Sequence, residues 1–388
     1  MNRKDSVLKI IDEKKDVFID ASHQISEKPE LQNREFFASQ LLSSLLEKEG
    51  FEITKGAAGH ETGFTAKKGR GKPVIVFLAE YDALPEIGHG CGHNLIGSLS
   101  ALAAIAAAEA APDASIYVYG TPAEEGGDNG SAKGSFADQG YFEGVDAAMM
   151  IHPGSYNKST TKSLAVNCYD FEFFGKTAHA SGCPEEGKNA LDAMILFFSG
   201  VNALRQQTTR DTRIHGIITD GGTAPNVIPG YTKAKFFVRA ATIKHCDYVL
   251  EQVKKIADGA ALMTGCTAKY SKFNNTVKDT VINSRFDALF LEKAKEIGLE
   301  YELSDSEGRG SSDVGNVSYE VPTIQPCIAV TDTPIPGHTV EFRDVCVSEK
   351  ADDALVKGAG ILALTALELI ENPKKLQEIK ELHRELLK

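Results

Sequence analysis

Three stretches of this chain place metal-binding and proton-transferring side chains directly after short apolar runs. The run Val74 to Leu78 stops at Glu80-Tyr81-Asp82, and a Gly-rich loop then presents His89, Cys91 and His93. Gly88, Gly90 and Gly92 relax the backbone there, so alternating side chains can turn toward one point, and a Cys/His pair at i, i+2 can chelate a single ion. A second run, Ile116 to Tyr119, leads to Thr121-Pro122-Ala123-Glu124-Glu125-Gly126-Gly127 with two adjacent carboxylates. A third strand, at Ala147, ends in Ile151-His152-Pro153-Gly154. Singly, each has a bland reading: a buried thiol, a capping imidazole, a solvated Glu-Glu turn. Together, three strand ends carrying ligand-type residues point to a metal centre, because open α/β sheets gather their chemistry at the carboxyl ends of their strands.

The elements that must position these groups follow from periodicity. Apolar spacing predicts helices over Ser6 to Glu27 and Glu35 to Glu49, separated at Pro29, and strands at Phe51 to Thr54 and Gly63 to Lys67. The Ala-rich stretch Leu95 to Ala108 reads as a buried helix too short to span a bilayer. A strand at Ser115 to Gly120, a helix within 135–144 and a strand at Ala147 continue an alternation that implies a doubly wound, mainly parallel sheet. From residue 164 the pattern changes to strand, helix, strand, strand, helix, strand: 164–174, Asn189 to Leu204, Thr212 to Thr219, Tyr231 to Ala241, His245 to Thr264 and Thr267 to Phe273. That order is ferredoxin-like, α+β, and marks an insert at 164–278 within a discontinuous domain formed by 1–163 and 279–388. The α/β pattern resumes with a helix at Ser284 to Gly298, a strand at Val321 to Val330 and a helical region from Glu349.

Composition narrows the class further. With 388 residues, 42% hydrophobic, 25% charged and a net charge of -12, the chain is an acidic globular protein, unsuited to binding nucleic acid. Seven cysteines, odd in number and without C-x-x-C spacing, fit a reducing compartment, and the charged N-terminus lacks the apolar core of a secretory signal. A cytoplasmic enzyme with no membrane attachment is expected.

In this order and at these spacings, EYDALPEIGHGCGHN, TPAEEGG, IHPG, GKTAHAS, APNVIPG and PGHTVEF resemble the amidohydrolase branch of the M20 metallopeptidase family, above all aminobenzoyl-glutamate hydrolases and hydrolases of dipeptides and N-acyl amino acids. The resemblance covers nearly the whole chain. It implies two divalent ions, zinc or manganese, held by Cys91, His93, Glu125, His152 and His338, with Cys91 where other branches carry a bridging aspartate. It implies Glu124 as general base, and His179, carried by the insert, as a group that reaches into the partner subunit's site of a homodimer and polarises the scissile carbonyl. Asn226 and Arg239 resemble the family's contacts to the substrate carboxylate. The expected activity is hydrolysis of the amide bond of an N-acyl or aroyl amino acid or a dipeptide. Asp82 suits the role of orienting a ligand histidine. Glu80 departs from the wider family, in which many relatives carry a ligand histidine at that position, and His89 is expected to be a neighbour, not a ligand. Two alternatives stand beside this reading: Cys91 as a thiol nucleophile, and a non-catalytic metal-binding relative.

Overall fold

The strand Val74–Ala79 is buried on both faces, and this decides the architecture around it. Ile75 and Phe77 face one hydrophobic cluster while Val74, Val76 and Leu78 face another, so the sheet needs helices on both sides. The computed structural model describes residues 2–304 and 310–388. Contacts divide the chain into two compact units, one from Met1–Lys162, Thr280–Gly308 and Ser312–Lys388, the other from Ser163–Asp279 with Arg309–Ser311.

The first unit opens with α1 (Arg3–Glu27) and α2 (Phe36–Lys48), followed by β1 (Glu52–Lys55), β2 (Phe64–Lys68) and β3 (Val74–Ala79). Next come α3 (His93–Ala110), β4 (Ser115–Gly120), α4 (Ala132–Asp138), β5 (Ala147–Met149) and β6 (His152–Gly154). The sheet order is β1-β2-β4-β3-β5 with one later strand at the far edge; β3 is parallel to β4 and β5, whereas β1 and β2 form an antiparallel margin. Within α3 every residue except Glu109 is buried, which explains its alanines: small side chains let neighbouring helices close on it from several directions.

The second unit contains β7 (Ala165–Phe174), α5 (Ala190–Leu204), β8 (Arg213–Asp220), β9 (Tyr231–Ala240), α6 (Ile243–Thr264) and β10 (Thr267–Lys272). Its sheet runs β10-β7-β9-β8, antiparallel throughout. On β9 the alternate residues Ala234, Phe236, Val238 and Ala240 are buried in a cluster with α5 and α6, the period-two pattern of a sheet covered on one face. This is the ferredoxin-like order expected from the sequence.

The chain then completes the first unit with α7 (Ser284–Glu296), α8 (Val314–Glu320), β11 (Thr323–Ile324), β12 (Cys327–Ala329), α9 (Val340–Val345), α10 (Glu349–Glu371) and α11 (Pro373–Leu386). Three local expectations need correction. The strand expected over Val321 to Val330 is two short strands, β11 beside β5 and β12 beside β6, split around Pro326, which has no N–H to give a ladder. The helix expected within 135–144 lies earlier, and Gly140 and Gly144, both at positive φ, follow its end. The third strand, expected to finish in His152, stops at Met149, and His152 opens β6. Among the described residues no helix is long and apolar enough to cross a membrane.

The first turns of α3 sit hard against the end of β3. A Cβ added to Gly97 would stand 2.9 Å from the Glu80 carbonyl oxygen and 2.7 Å from Leu42 Cδ1. Gly97→Ala gains about 1 kcal/mol of helix propensity, but overpacking against backbone costs about 1–3 kcal/mol. The expected result is a net loss of stability, read as a lower midpoint in denaturant unfolding.

Candidate metal centre

Three strand termini and two loops deliver the candidate groups. Glu80 and Asp82 follow β3, and Cys91 precedes α3, whose first residue is His93 and whose cap, Gly92, takes the left-handed conformation at φ 77. An added Cβ on Gly92 would lie 2.4 Å from Pro153, so only glycine lets the loop lie this close to β6. Glu124 and Glu125 lie in a turn beyond β4, after Ala123 at φ 54, and His152 begins β6. His338, itself at φ 62, precedes α9 and donates its backbone N–H to the Gly90 carbonyl at 2.8 Å.

These side chains converge. Potential ligand atoms of Cys91, His93 and His152 lie within 4.8 Å of one another, as do those of Cys91, Glu125 and His338, and those of His93, Glu124 and Glu125. Cys91 Sγ is 3.5 Å from His152 Nε2, and His338 Nε2 is 3.2 Å from Glu125 Oε1. Two ligands of one tetrahedral zinc, bound through sulfur and imidazole nitrogen, stand about 3.5 Å apart. Neither Glu80 nor His89 belongs to any of these groups.

The surrounding hydrogen bonds leave the inward atoms free. Asp82 Oδ1 pairs with His93 Nδ1 at 2.9 Å, while its Oδ2 accepts the Glu125 backbone N–H at 3.0 Å. Pro153 O lies 2.7 Å from His152 Nδ1. His93 Nε2 and Glu125 Oε1 are buried and make no well-formed hydrogen bond, their contacts being to Glu80 Oε2 at 3.4 Å and His338 Nε2 at 3.2 Å. Imidazoles held through Nδ1 by a carboxylate or carbonyl, with Nε2 presented inward, are the arrangement that metal-binding histidines adopt. The residues fit a pair of cations.

Electrostatics point the same way. Burial pushes the Cys91 thiol well above its ordinary pKa, with Glu125 and Glu124 adding to the shift against the opposing effect of His93. Burial and the carboxylates of Glu80, Glu125 and Asp313 raise Glu124 well above the usual range. Burial also acts to raise Asp82, but His93 beside it prevails and holds it low. His89 is pushed down to about 3, by burial first and then by His93, and is therefore a neutral neighbour. A pocket that disfavours both a free thiolate and crowded carboxylates is one that added positive charge stabilises.

One cation is built in, and nothing in its local sequence announced it. Lys133, fully buried in the first turn of α4, places Nζ 2.6 Å from Glu80 Oε1 and 2.7 Å from Asp313 Oδ1. Asp313 Oδ2 also accepts the Lys133 backbone N–H at 3.0 Å. Glu80 Oε2 faces His93 Nε2 at 3.4 Å.

The remaining candidates lie in the second unit. His179 is exposed, and its Nδ1 accepts from the backbone N–H of Gly182 at 3.0 Å. Asn226 is brought beside it, since its carbonyl accepts the Ala180 N–H at 3.0 Å. Arg239, on β9, donates to Ser311 Oγ at 2.9 Å and lies over the Phe237 ring, with no carboxylate partner among the described residues.

A three-layer α/β unit with thiol, imidazole and carboxylate groups converging beyond its strand ends, joined to an antiparallel α+β unit, defines a metallohydrolase. Residues 166–263 match the peptidase dimerisation domain of M20 enzymes. The chain is 31% identical over 383 residues to the human Xaa-Arg dipeptidase, covering 93% of this chain and 87% of that protein. It is 30% identical over 450 residues to a p-aminobenzoyl-glutamate hydrolase chain of Escherichia coli K12, covering 95% and 92%. Its fold matches that of a dinuclear metal-binding M20 peptidase from Bacillus subtilis with a TM-score of 0.63 at 20% identity, over 92% and 98% of the two chains. The chain belongs to the M20 family: it is a metal-dependent amidohydrolase, from a family with dinuclear members. The thiol-nucleophile alternative is not supported, since Cys91 lies among metal-ligand groups and its thiol is disfavoured as a free anion.

Lys133→Met would leave Glu80 and Asp313 buried without their counter-charge. Removing one partner of a buried pair costs about 3–5 kcal/mol, so a large fall in the unfolding midpoint is expected. The double change Lys133→Met/Glu80→Gln should recover part of it, and a midpoint unaltered by Lys133→Met would show that the ion cluster carries no stability.

Proposed function

We propose that the chain hydrolyses the amide bond of an N-acyl or aroyl amino acid or a dipeptide, with two divalent ions, zinc or manganese, held by Cys91, His93, Glu125, His152 and His338. The observation that carries this is the convergence of those five side chains with Glu124 beside them. Cys91 belongs to two of the ligand groups and suits a shared position: His93 and His152 complete one site, Glu125 and His338 the other. Bound there, the cations would supply Lewis acidity, making water acidic enough to lose a proton near neutral pH and drawing electron density from the scissile carbonyl.

Glu124 takes the proton from the attacking water and returns it to the leaving amine. Its neighbour Glu125 belongs to two of the converging ligand groups and lies 3.2 Å from His338, whereas Glu124 belongs to one, which supports Glu124 as the carboxylate for this work. His179 donates through Nε2 to the carbonyl oxygen, because its Nδ1 already accepts from Gly182 and the proton therefore belongs on the other nitrogen. Arg239, without a carboxylate of its own, and Asn226 receive the substrate carboxylate.

His179 acts across a homodimer in this reading. The match to a dimerisation domain supports it, as do the exposed Leu262, Met263, Tyr248 and Ile217 of the second unit. The seven free cysteines fit a cytoplasmic setting. Relatives named for dipeptides and for p-aminobenzoyl-glutamate support the substrate class.

Glu124→Gln in zinc- or manganese-loaded protein should cut kcat by about 10²–10⁴-fold while elemental analysis still finds both ions. Full turnover in that variant, or turnover that survives chelation, would sink the reading. Mixing Glu124→Gln with His179→Ala subunits tests the trans role. Random reassortment should restore roughly a quarter of the sites, whereas a mixture as inactive as its components would place His179 elsewhere.

A further inference from the structure

The turn that carries Glu124 and Glu125 has a backbone that is only partly held by its own hydrogen bonds. Ala123, fully buried and immediately before the pair, is left-handed at φ 54, as are Asn129 at φ 54 and Ser131 at φ 60. Non-glycine residues enter this region only when their surroundings over-determine it. The turn is pinched at its neck, where Ala123 O accepts the Ser131 N–H at 2.6 Å. The Ala123 N–H, having left the sheet, needs a partner from outside the turn.

That partner comes from the linker between α1 and α2. Glu35 is fully buried; its Oε1 accepts from Ala123 N at 3.1 Å and from Asn33 N at 2.9 Å, and its Oε2 accepts from Thr62 Oγ1 at 2.8 Å. Two residues earlier, Asn33 Nδ2 donates to the Asp128 and Asn129 carbonyls at 3.0 and 3.3 Å, at the far end of the same turn. Gln32 packs so closely over Gly127 that a Cβ there would lie 2.7 Å from its own. Gln32 and Asn33 are themselves left-handed, at φ 49 and 68, so the linker is shaped to reach across. Asn33 is in turn fixed through Oδ1 by His60 Nδ1 at 2.7 Å.

We propose that Glu35 and Asn33 are positioning residues for the reaction, clamping the neck and the tip of the Ala123–Ser131 turn so that Glu124 is held over the reacting water. The proposal rests on the assignment of Glu124 as general base. Misplacing a reacting group by about 1 Å costs about 10²-fold in rate, so the clamp acts on kcat. A buried carboxylate is suited to the neck because it alone offers enough lone pairs for three donors arriving from three segments.

The test uses the full, metal-loaded chain. Glu35→Ala should lower kcat roughly 10- to 100-fold with KM within about twofold and ion content unchanged, and it should accelerate amide hydrogen exchange in 123–131 above other segments. Glu35→Gln, whose amide oxygen still accepts from Ala123, should recover most of the rate. Asn33→Ala, which removes no buried charge, should accelerate exchange at 128–131 and lower kcat several-fold; it decides the matter alone if Glu35→Ala does not fold. Unchanged exchange in 123–131 in the folded variants overturns the proposal. So does a rate loss matched by uniformly faster exchange across the unit. If Glu124→Gln itself keeps turnover, the base assignment falls, and the exchange data still decide whether the linker holds the turn.

Discussion

Concentrated negative charge in a largely buried pocket is the constraint on which this structure depends. Glu80, Glu125 and Asp313 crowd Glu124, and Asp82 crowds Glu125, with Glu80, Asp82 and Asp313 fully buried or nearly so. Carboxylates so placed repel each other and lose hydration, and a fold can keep them only by importing positive charge. Lys133 is the permanent cation it supplies among the described residues, and it serves Glu80 and Asp313. His93 Nε2 and Glu125 Oε1, which make no well-formed hydrogen bond, belong to the groups of converging ligand-type atoms.

The sheet explains why those groups meet. Parallel strands buried on both faces end together at one edge, so residues far apart in sequence arrive side by side: Asp82 beyond β3, Glu125 beyond β4, His152 beyond β5. Asp82 then ties two of these ends directly, one oxygen on His93 and the other on the Glu125 backbone. A single carboxylate thus fixes an imidazole and the start of the carboxylate turn in one frame. The tight seat of α3, which begins at His93 and passes Gly97 over the Glu80 carbonyl, holds that frame to the sheet.

Much of this was legible in the chain because the relevant signals are local. The β-branched run before Glu80, the glycines around Cys91 and the alternation from Tyr231 to Ala240 each state their conformation within a few residues. The order of elements in the second unit was readable for the same reason. Lys133 was not: a lone lysine among small residues has the signature of a solvated helix start, and its partner Asp313 is 180 residues away. Glu35 was equally mute, since only the folded chain brings Ala123 to it across 88 residues. The split of the expected strand at 321–330 was missed although Pro326 marked it, because the apolar run on either side outweighed one missing N–H. What sequence conceals here is the set of long-range polar contacts that burial makes obligatory.

The choice of a thiol at position 91 completes the electrostatic argument. A carboxylate there would add negative charge to a site in which burial and like charges already disfavour ionised Glu124 and Asp313, whereas a thiol that burial disfavours as an anion brings no such charge until a cation arrives. On the proposed ligand set its charge would appear only together with the charge that offsets it, coupling ligation to proton release. Lys133 performs a different service for Glu80. By engaging one oxygen of that carboxylate, it keeps Glu80 occupied, and Glu80 stands outside every group of converging ligand atoms despite lying 3.4 Å from His93.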